Sequence, residues 1–292
     1  MKLALGTVQF GLQYGVANTD GRVTRKTVEQ ILTLSRKSGI DTLDTAISYG
    51  NSEKCLGEIG VGDWDIVTKL PPVPIGCRNF SEWVHQQFEG SLRRLNVDKL
   101  KCLMLHSPIQ LLEDSGQEIW TLVEQLKLDG RIEKIGVSIY SPTELDRIWS
   151  NFKPDLVQAP FNILDTRMKT SGWFDRLRKE RVEMHVRSVF LQGLLLMDRG
   201  NRPNKFHRWN YIWRKWENWL LENNLTPVEA SLGFVLNESD IDRVIIGVDT
   251  PNQLKEILTI NKKKYNESNN IYLDKFAISD TNLINPSNWS AL

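Results

Sequence analysis

Residues 41–50 read DTLDTAISYG, and this stretch decides the fold. Ahead of it, Thr24 can cap an amphipathic segment that runs to Lys37 and ends at Gly39. Residues 40–43 then have the composition of a short buried strand. That strand surfaces in a carboxylate, Asp44, and a phenol, Tyr49, follows in its loop. Helix, buried strand and polar loop succeed one another without a break.

The same unit recurs along the chain. Runs at 3–5, 40–43, 65–68, 101–105, 134–137, 155–157, 183–187 and 243–246 are apolar almost throughout, as strands buried on both faces are. Amphipathic segments separate them. Ser81 can cap a helix through Leu95, and Pro142, Pro227 and Pro251 stand where first helical turns begin. Eight such units, with no Pro-, Gly- or Ser-rich linker between them, predict an α/β fold of the (β/α)8 TIM barrel type rather than a six-stranded doubly wound sheet. One barrel domain over residues 1–292 is expected, a length that suits the fold.

Two regions exceed the repeat. Residues 197–224 form a Trp-rich insertion after the seventh strand, and Trp209, Trp213, Trp216 and Trp219 recur at helical spacing, so one face carries all four rings. Packing on the barrel is the expected use of that face; stacking on a sugar is the alternative. Residues 261–292 form a C-terminal tail. In it NKKKYNESNN, residues 261–270, reads as a solvated connector, and the remainder is expected either to be loosely ordered or to fold back over a barrel face.

Composition narrows the function classes. With 37 basic and 36 acidic residues and a net charge of +1, no field favours nucleic acid or a membrane surface. Cys55, Cys77 and Cys102 show no C-x-x-C spacing, so neither a disulfide framework nor a zinc site is expected. The run Leu3-Ala4-Leu5-Gly6 is too short for a signal-peptide core, and no apolar run approaches the roughly 20 residues of a membrane span. The expected location is cytoplasmic.

Barrel enzymes carry their chemistry on the loops after the strands. Asp44 follows the second strand and Tyr49 lies in its loop; Lys69 ends the third strand in DWDIVTKL, and His106 ends the fourth in KCLMLHSP. Each alone is more often a structural residue. Together they form a chemical sequence. A phenol titrates near pH 10, and a neighbouring cation such as Lys69 lowers that value. Asp44 is the partner that keeps Lys69 charged. His106 can orient a substrate carbonyl, so the set reads as a general acid aimed at an oxygen that becomes an alkoxide. A metal-dependent hydrolase would need clustered ligands at strand ends; His85, His185 and His207 do not supply them, and no metal is expected.

The motifs DTAISYG, VTKL, MLHSP, GVS, VQAPFN and IIGVDTPNQLKE, in that order, resemble the aldo/keto reductase superfamily from Leu3 to about Ile260. The resemblance implies that Asp44, Tyr49, Lys69 and His106 are the catalytic tetrad, with Tyr49 as proton donor and NADP(H) or NAD(H) as hydride source. It places the cofactor across the barrel mouth: Gly6 and Thr7 at the first strand, Ser138 and Gln158 at the carboxamide, with Asn162 matching the asparagine that follows. RSVFLQGLL brings Ser188, Phe190, Gln192, Gly193 and Leu194 over the pyrophosphate, and Gly247, Asp249 and Gln253 follow the last strand. The glycines of LGTVQFGLQYG lack G-x-G-x-x-G spacing, which weakens a Rossmann reading.

Three positions depart from the family pattern. Arg187 stands where many members stack an aromatic ring on the nicotinamide, and Ile139 replaces an asparagine. Asp249 stands where NADPH-dependent members carry basic residues, which brings NADPH preference into question. Gln9, Phe10 and Tyr14, residues 107–112 and the insertion are the expected substrate contacts. The expected activity is NAD(P)H-dependent reduction of a small aldehyde or ketone. The opening LGTVQFGLQYGVAN is similar to a bacterial branch linked to surface-polysaccharide pathways, which implies a sugar-type substrate. The rival expectation is a nucleotide-sensing regulatory subunit of the same fold with little or no turnover.

Overall fold

Leu3, Ala4 and Leu5 are fully buried and open the first strand of a closed parallel barrel. The computed structural model describes residues 1–262 and 273–292. The strands are β1 (Leu3–Gly6), β2 (Thr42–Asp44), β3 (Asp65–Leu70), β4 (Leu100–Leu105), β5 (Ile132–Ser138), β6 (Leu156–Pro160), β7 (Glu183–Arg187) and β8 (Arg243–Gly247). Each pairs in parallel with the next, and β8 returns to β1 through Gly6 opposite Gly247. The principal helices between and after them are α1 (Arg25–Lys37), α2 (Ser52–Ile59), α3 (Phe80–Leu95), α4 (Gly116–Leu128), α5 (Pro142–Ile148), α6 (Trp173–Lys179), α7 (Asn210–Glu222), α8 (Pro227–Leu236) and α9 (Pro251–Lys262). The (β/α)8 TIM barrel expected from the alternation is the fold observed.

Most strand ends shift by one to three residues from the sequence reading, and two boundaries move for a reason that hydrogen bonds show. The Ile40 N–H donates to the Ser35 carbonyl at 3.0 Å and completes the end of α1, so β2 starts at Thr42 and has Asp44 as its last residue. Asn79, not Ser81, caps α3: its side chain accepts from the Glu82 N–H at 3.0 Å, and Ser81 falls inside the helix. Thr24 caps α1 as expected, and Pro142, Pro227 and Pro251 open α5, α8 and α9.

Inside the barrel, Val67, Cys102, Met104 and Leu156 form a cluster of their own. Gly136 makes room for it. A Cβ there would stand 2.8 Å from Met104 Cγ and 2.9 Å from Cys102 Sγ. Lys69 lies two residues after Val67 and therefore on the same face of β3, one layer nearer the mouth.

A second core covers the segment after β7. Trp209, Trp213, Trp216 and Trp219 are all buried, together with Leu191, Leu194, Leu195 and Phe206. Trp213 donates to the Phe206 carbonyl and Trp216 to the Leu195 carbonyl, at 3.1 and 3.2 Å. From the tail, Phe276, Leu283, Ile284 and Trp289 close the same cluster. The rings of α7 thus pack inward and offer no stacking face to a sugar. The connector read in residues 261–270 lies, beyond Lys262, outside the described residues. Among the described residues, no helix is long and apolar enough to cross a membrane.

Candidate active site

Asp44, at the end of β2, accepts from Lys69 Nζ through both carboxylate oxygens, at 2.7 and 2.9 Å. Lys69, with no exposed surface, also donates to the Thr45 carbonyl at 2.9 Å. The Tyr49 hydroxyl lies 3.5 Å from the same Nζ, which stands 5.0 Å from the phenol ring centre. His106 packs edge-on to Tyr49 with ring centres 5.9 Å apart, and its Nδ1 pairs with Ser48 Oγ at 3.2 Å. The four side chains expected at separate strand ends therefore meet at one point of the barrel mouth. Gly11 sets Tyr49's place, because a Cβ there would stand 1.7 Å from the Tyr49 carbonyl oxygen.

The electrostatics run against one expectation. Burial, and then the Asp44 charge, push the Tyr49 phenol above its ordinary range rather than below it. Burial is the larger cause, and Lys69, engaged by both oxygens of Asp44, does not offset it. Burial also pulls the Lys69 ammonium down, opposed by the charge and hydrogen bonds of Asp44. His106 is lowered to about 3 by burial, reinforced by the charges of Lys69 and Arg187, and is neutral at pH 7.

Loops from both ends of the chain meet beside this point. Gln158, fully buried on β6, donates from Nε2 to Asp44 Oδ2 at 2.7 Å, while its Oε1 is buried with no partner. After β7 the backbone takes positive φ at Ser188, Leu191, Gln192 and Gly193. The Gln192 carbonyl accepts from the Val16 N–H at 3.1 Å, and its side chain donates to the Tyr14 hydroxyl at 3.0 Å. After β8, Asp249 accepts from Asn18 at 3.3 Å.

The aldo/keto reductase family model matches residues 2–278. The chain belongs to the aldo/keto reductase family. Over 87% of this chain and 88% of its own length, the NADH-specific methylglyoxal reductase of Escherichia coli (strain K12) is 23% identical. The glyoxal reductase of Bacillus subtilis (strain 168) is 27% identical over 55% of this chain and 57% of its own. The holo form of an aldo-keto reductase from Bacillus halodurans superposes with a TM-score of 0.75 over 95% of this chain and 92% of that one; at 19% identity the likeness speaks to the fold. As a member of this family the chain is an oxidoreductase of the class that acts on small carbonyl compounds.

Set against this aldo/keto reductase framework, the other sequence-derived positions divide. Gly6 and Gly247 face each other across the β1–β8 ladder, and Ser138 stands opposite Gln158, all at the C-terminal edge of the barrel. The Arg187 charge reaches both Tyr14 and Tyr49 and opposes the rise that burial causes in each. Other positions are engaged internally. The Thr7 hydroxyl donates to the Asp44 carbonyl at 3.0 Å and accepts from Ser52 at 2.9 Å. Asn162 donates to the Ser188 carbonyl and accepts from the Leu164 and Asp165 N–H groups. Gln253 Oε1 caps the start of α9 by accepting from the Asp249 and Thr250 N–H groups. Phe10 sits in the main core with 1% exposure and Leu194 in the second core with none, so neither offers surface to a ligand. Phe190 is also largely buried. Gln9 is buried against Gly247, and its Oε1 lacks a partner.

Sequence reasoning missed Ser48, Asn18 and Tyr140. Ser48 precedes Tyr49 directly and could have been suspected as a hydroxyl in the loop. Tyr140 lies under the guanidinium of Arg187, 4.5 Å from Arg187 Cζ to the ring centre, a pairing with no signal in spacing.

Proposed function

We propose that this aldo/keto reductase reduces a small aldehyde or ketone with a nicotinamide dinucleotide, and that Tyr49 supplies the proton to the carbonyl oxygen. The observation that carries the reading is the Lys69 ammonium, clasped by Asp44 and 3.5 Å from the Tyr49 hydroxyl. The residues present suit the cofactor. Gln158 Oε1 is a buried acceptor without a donor, and a carboxamide N–H is the donor it lacks. Ser138 would share that carboxamide, and the loop 188–193 with Gly6 and Gly247 would hold the remainder. When bound, the reduced nicotinamide supplies a hydride to the carbonyl carbon.

Negative charge then gathers on the carbonyl oxygen. Tyr49 O–H gives its proton to that oxygen, which leaves an alcohol and a phenolate, and the adjacent ammonium of Lys69 stabilises the phenolate. A phenol raised by burial keeps its proton at neutral pH until an alkoxide, a far stronger base, is present to take it. His106 Nδ1 pairs with Ser48 Oγ, and in the tautomer in which Ser48 is the donor the neutral ring carries its proton on Nε2, where it can be given as a hydrogen bond to the carbonyl oxygen. Asp249, flanked by the charge of Asp20, favours NADH by repelling a 2′-phosphate.

The test is Tyr49→Phe. We expect kcat to fall by roughly 10²–10⁴ with nucleotide affinity, followed by tryptophan fluorescence, nearly unchanged. Unaltered turnover removes Tyr49 from the mechanism. A wild-type protein that binds nucleotide tightly yet oxidises it with no carbonyl is a nucleotide sensor instead.

A further inference from the structure

Arg187 ends β7 at the barrel mouth, partly buried, and among the described residues no carboxylate pairs with it. Its Nη2 donates to the Ile139 carbonyl at 3.0 Å and its Nη1 to Ser188 Oγ at 3.4 Å. One face of the guanidinium is covered by Tyr140. A guanidinium has five N–H donors, so its remaining capacity lies along its edge.

The acids nearby are committed elsewhere. Asp44 is held by Lys69 and Gln158, and Asp165 by Arg167 at 2.7 Å through both oxygens. Glu144 accepts from the Tyr140 and Ser141 N–H groups. Lys69 is paired with Asp44 and His106 is neutral, which leaves Arg187, among the described residues, as a cation near Tyr49 with no carboxylate partner. That charge reaches Tyr14, Tyr49 and His106 alike.

We infer that Arg187 is a specificity residue that receives the carboxylate of the substrate, so that the preferred substrates are carbonyl compounds bearing a carboxylate rather than neutral ones. The inference rests on the carbonyl-reductase reading and deepens it. A neutral carbonyl closing this site strips water from an unpaired guanidinium and returns nothing, whereas a carboxylate supplies the missing partner in the planar, two-point geometry an arginine edge matches. It also assigns the departure at this position a purpose other than stacking on the nicotinamide.

The experiment compares matched pairs: glyoxylate with methylglyoxal for a carboxylate next to the carbonyl, and succinic semialdehyde with butanal for a longer reach. In the wild type, kcat/KM for at least one acid exceeds that of its neutral partner, and Arg187→Gln lowers that ratio by about 10²-fold, the size of a lost charge-assisted bond. Arg187→Lys recovers part of it. Binding of the unreactive anion oxamate, read by tryptophan fluorescence, weakens in Arg187→Gln in parallel. A ratio below one in the wild type, or a ratio and oxamate affinity that Arg187→Gln leaves unchanged, overturns the inference while the reductase reading stands. Should no carbonyl turn over at all, the reductase reading fails, and oxamate binding still decides whether Arg187 receives an anion. Loss of nucleotide affinity alone in Arg187→Gln would make this residue a cofactor platform and likewise overturn it.

Discussion

Lys69 Nζ and Asp44 lie within 2.7 Å of each other with almost no exposed surface on either side chain. A buried pair of this kind is costly to break and cheap to replace whole, because removing one member leaves an uncompensated charge. Lys69→Met is therefore expected to destabilise the protein by about 3–5 kcal/mol. The double variant Lys69→Met/Asp44→Asn is expected to recover most of that loss while remaining inactive. Urea unfolding of the wild type and the two variants checks the first statement and steady-state turnover the second. A double variant no more stable than Lys69→Met would mean that the pair is not the source of the penalty.

His106 gives the stability a pH dependence whose sign follows from its lowered value. The unfolded chain protonates this histidine below about pH 6.5 and the folded protein only near pH 3, so the unfolded state binds more protons between the two. Stability is full above the upper value and declines as pH falls through the window. At about pH 5 the loss is at most about 2 kcal/mol, being 1.36 kcal/mol per unit over about 1.5 units. His106→Gln should remove that component, so its unfolding free energy should fall less between pH 7 and 5 than the wild type's. Equal pH slopes would refute it.

The strands were legible because a barrel strand is buried on both faces and reads as a largely apolar run. Errors fell at the ends, where hydrogen bonds and not hydrophobicity decide: Ile40 looks like strand, but its N–H is taken by α1. The convergence of Asp44, Tyr49, Lys69 and His106 was legible because the barrel puts every strand end at one rim. The sign of the Tyr49 shift was not, since it depends on how completely Asp44 cancels Lys69 and how much water is excluded. The four tryptophans were legible as a packing face, but their partners were not, since the parts of the second core run from Ile163 to Trp289 and meet only in the folded chain.

Gly11 supports Tyr49 from behind, and its replacement tests how tightly the phenol must be placed. A methyl group at Gly11 would stand 1.7 Å from the Tyr49 carbonyl oxygen and 2.5 Å from the Ser52 nitrogen, both backbone atoms that must shift. Gly11→Ala is expected to cost about 1–3 kcal/mol, as overpacking does, and to lower kcat through displacement of Tyr49. Thermal unfolding and turnover below the transition check the two effects separately. A variant with wild-type kcat would show that the loop absorbs the shift without moving the hydroxyl.

Asp249 is the position from which cofactor choice is expected to move. Its carboxylate accepts from Asn18, and burial, followed by the charge of Asp20, raises its pKa. A 2′-phosphate brought to this acid meets like charge, worth on the order of 1–2 kcal/mol after screening. Asp249→Asn keeps an oxygen for Asn18 and removes the repulsion, so the ratio of NADPH to NADH affinity should rise by about tenfold. In the wild type the same ratio should climb as pH falls from neutral into the acid range, and should do so earlier than an ordinary aspartate would allow, because burial and then the charge of Asp20 raise this carboxyl. In Asp249→Asn the profile should lose that component. Fluorescence titration with both nucleotides across that range decides the matter: parallel profiles for wild type and variant would place Asp249 away from the adenosine ribose and leave the cofactor preference to other residues.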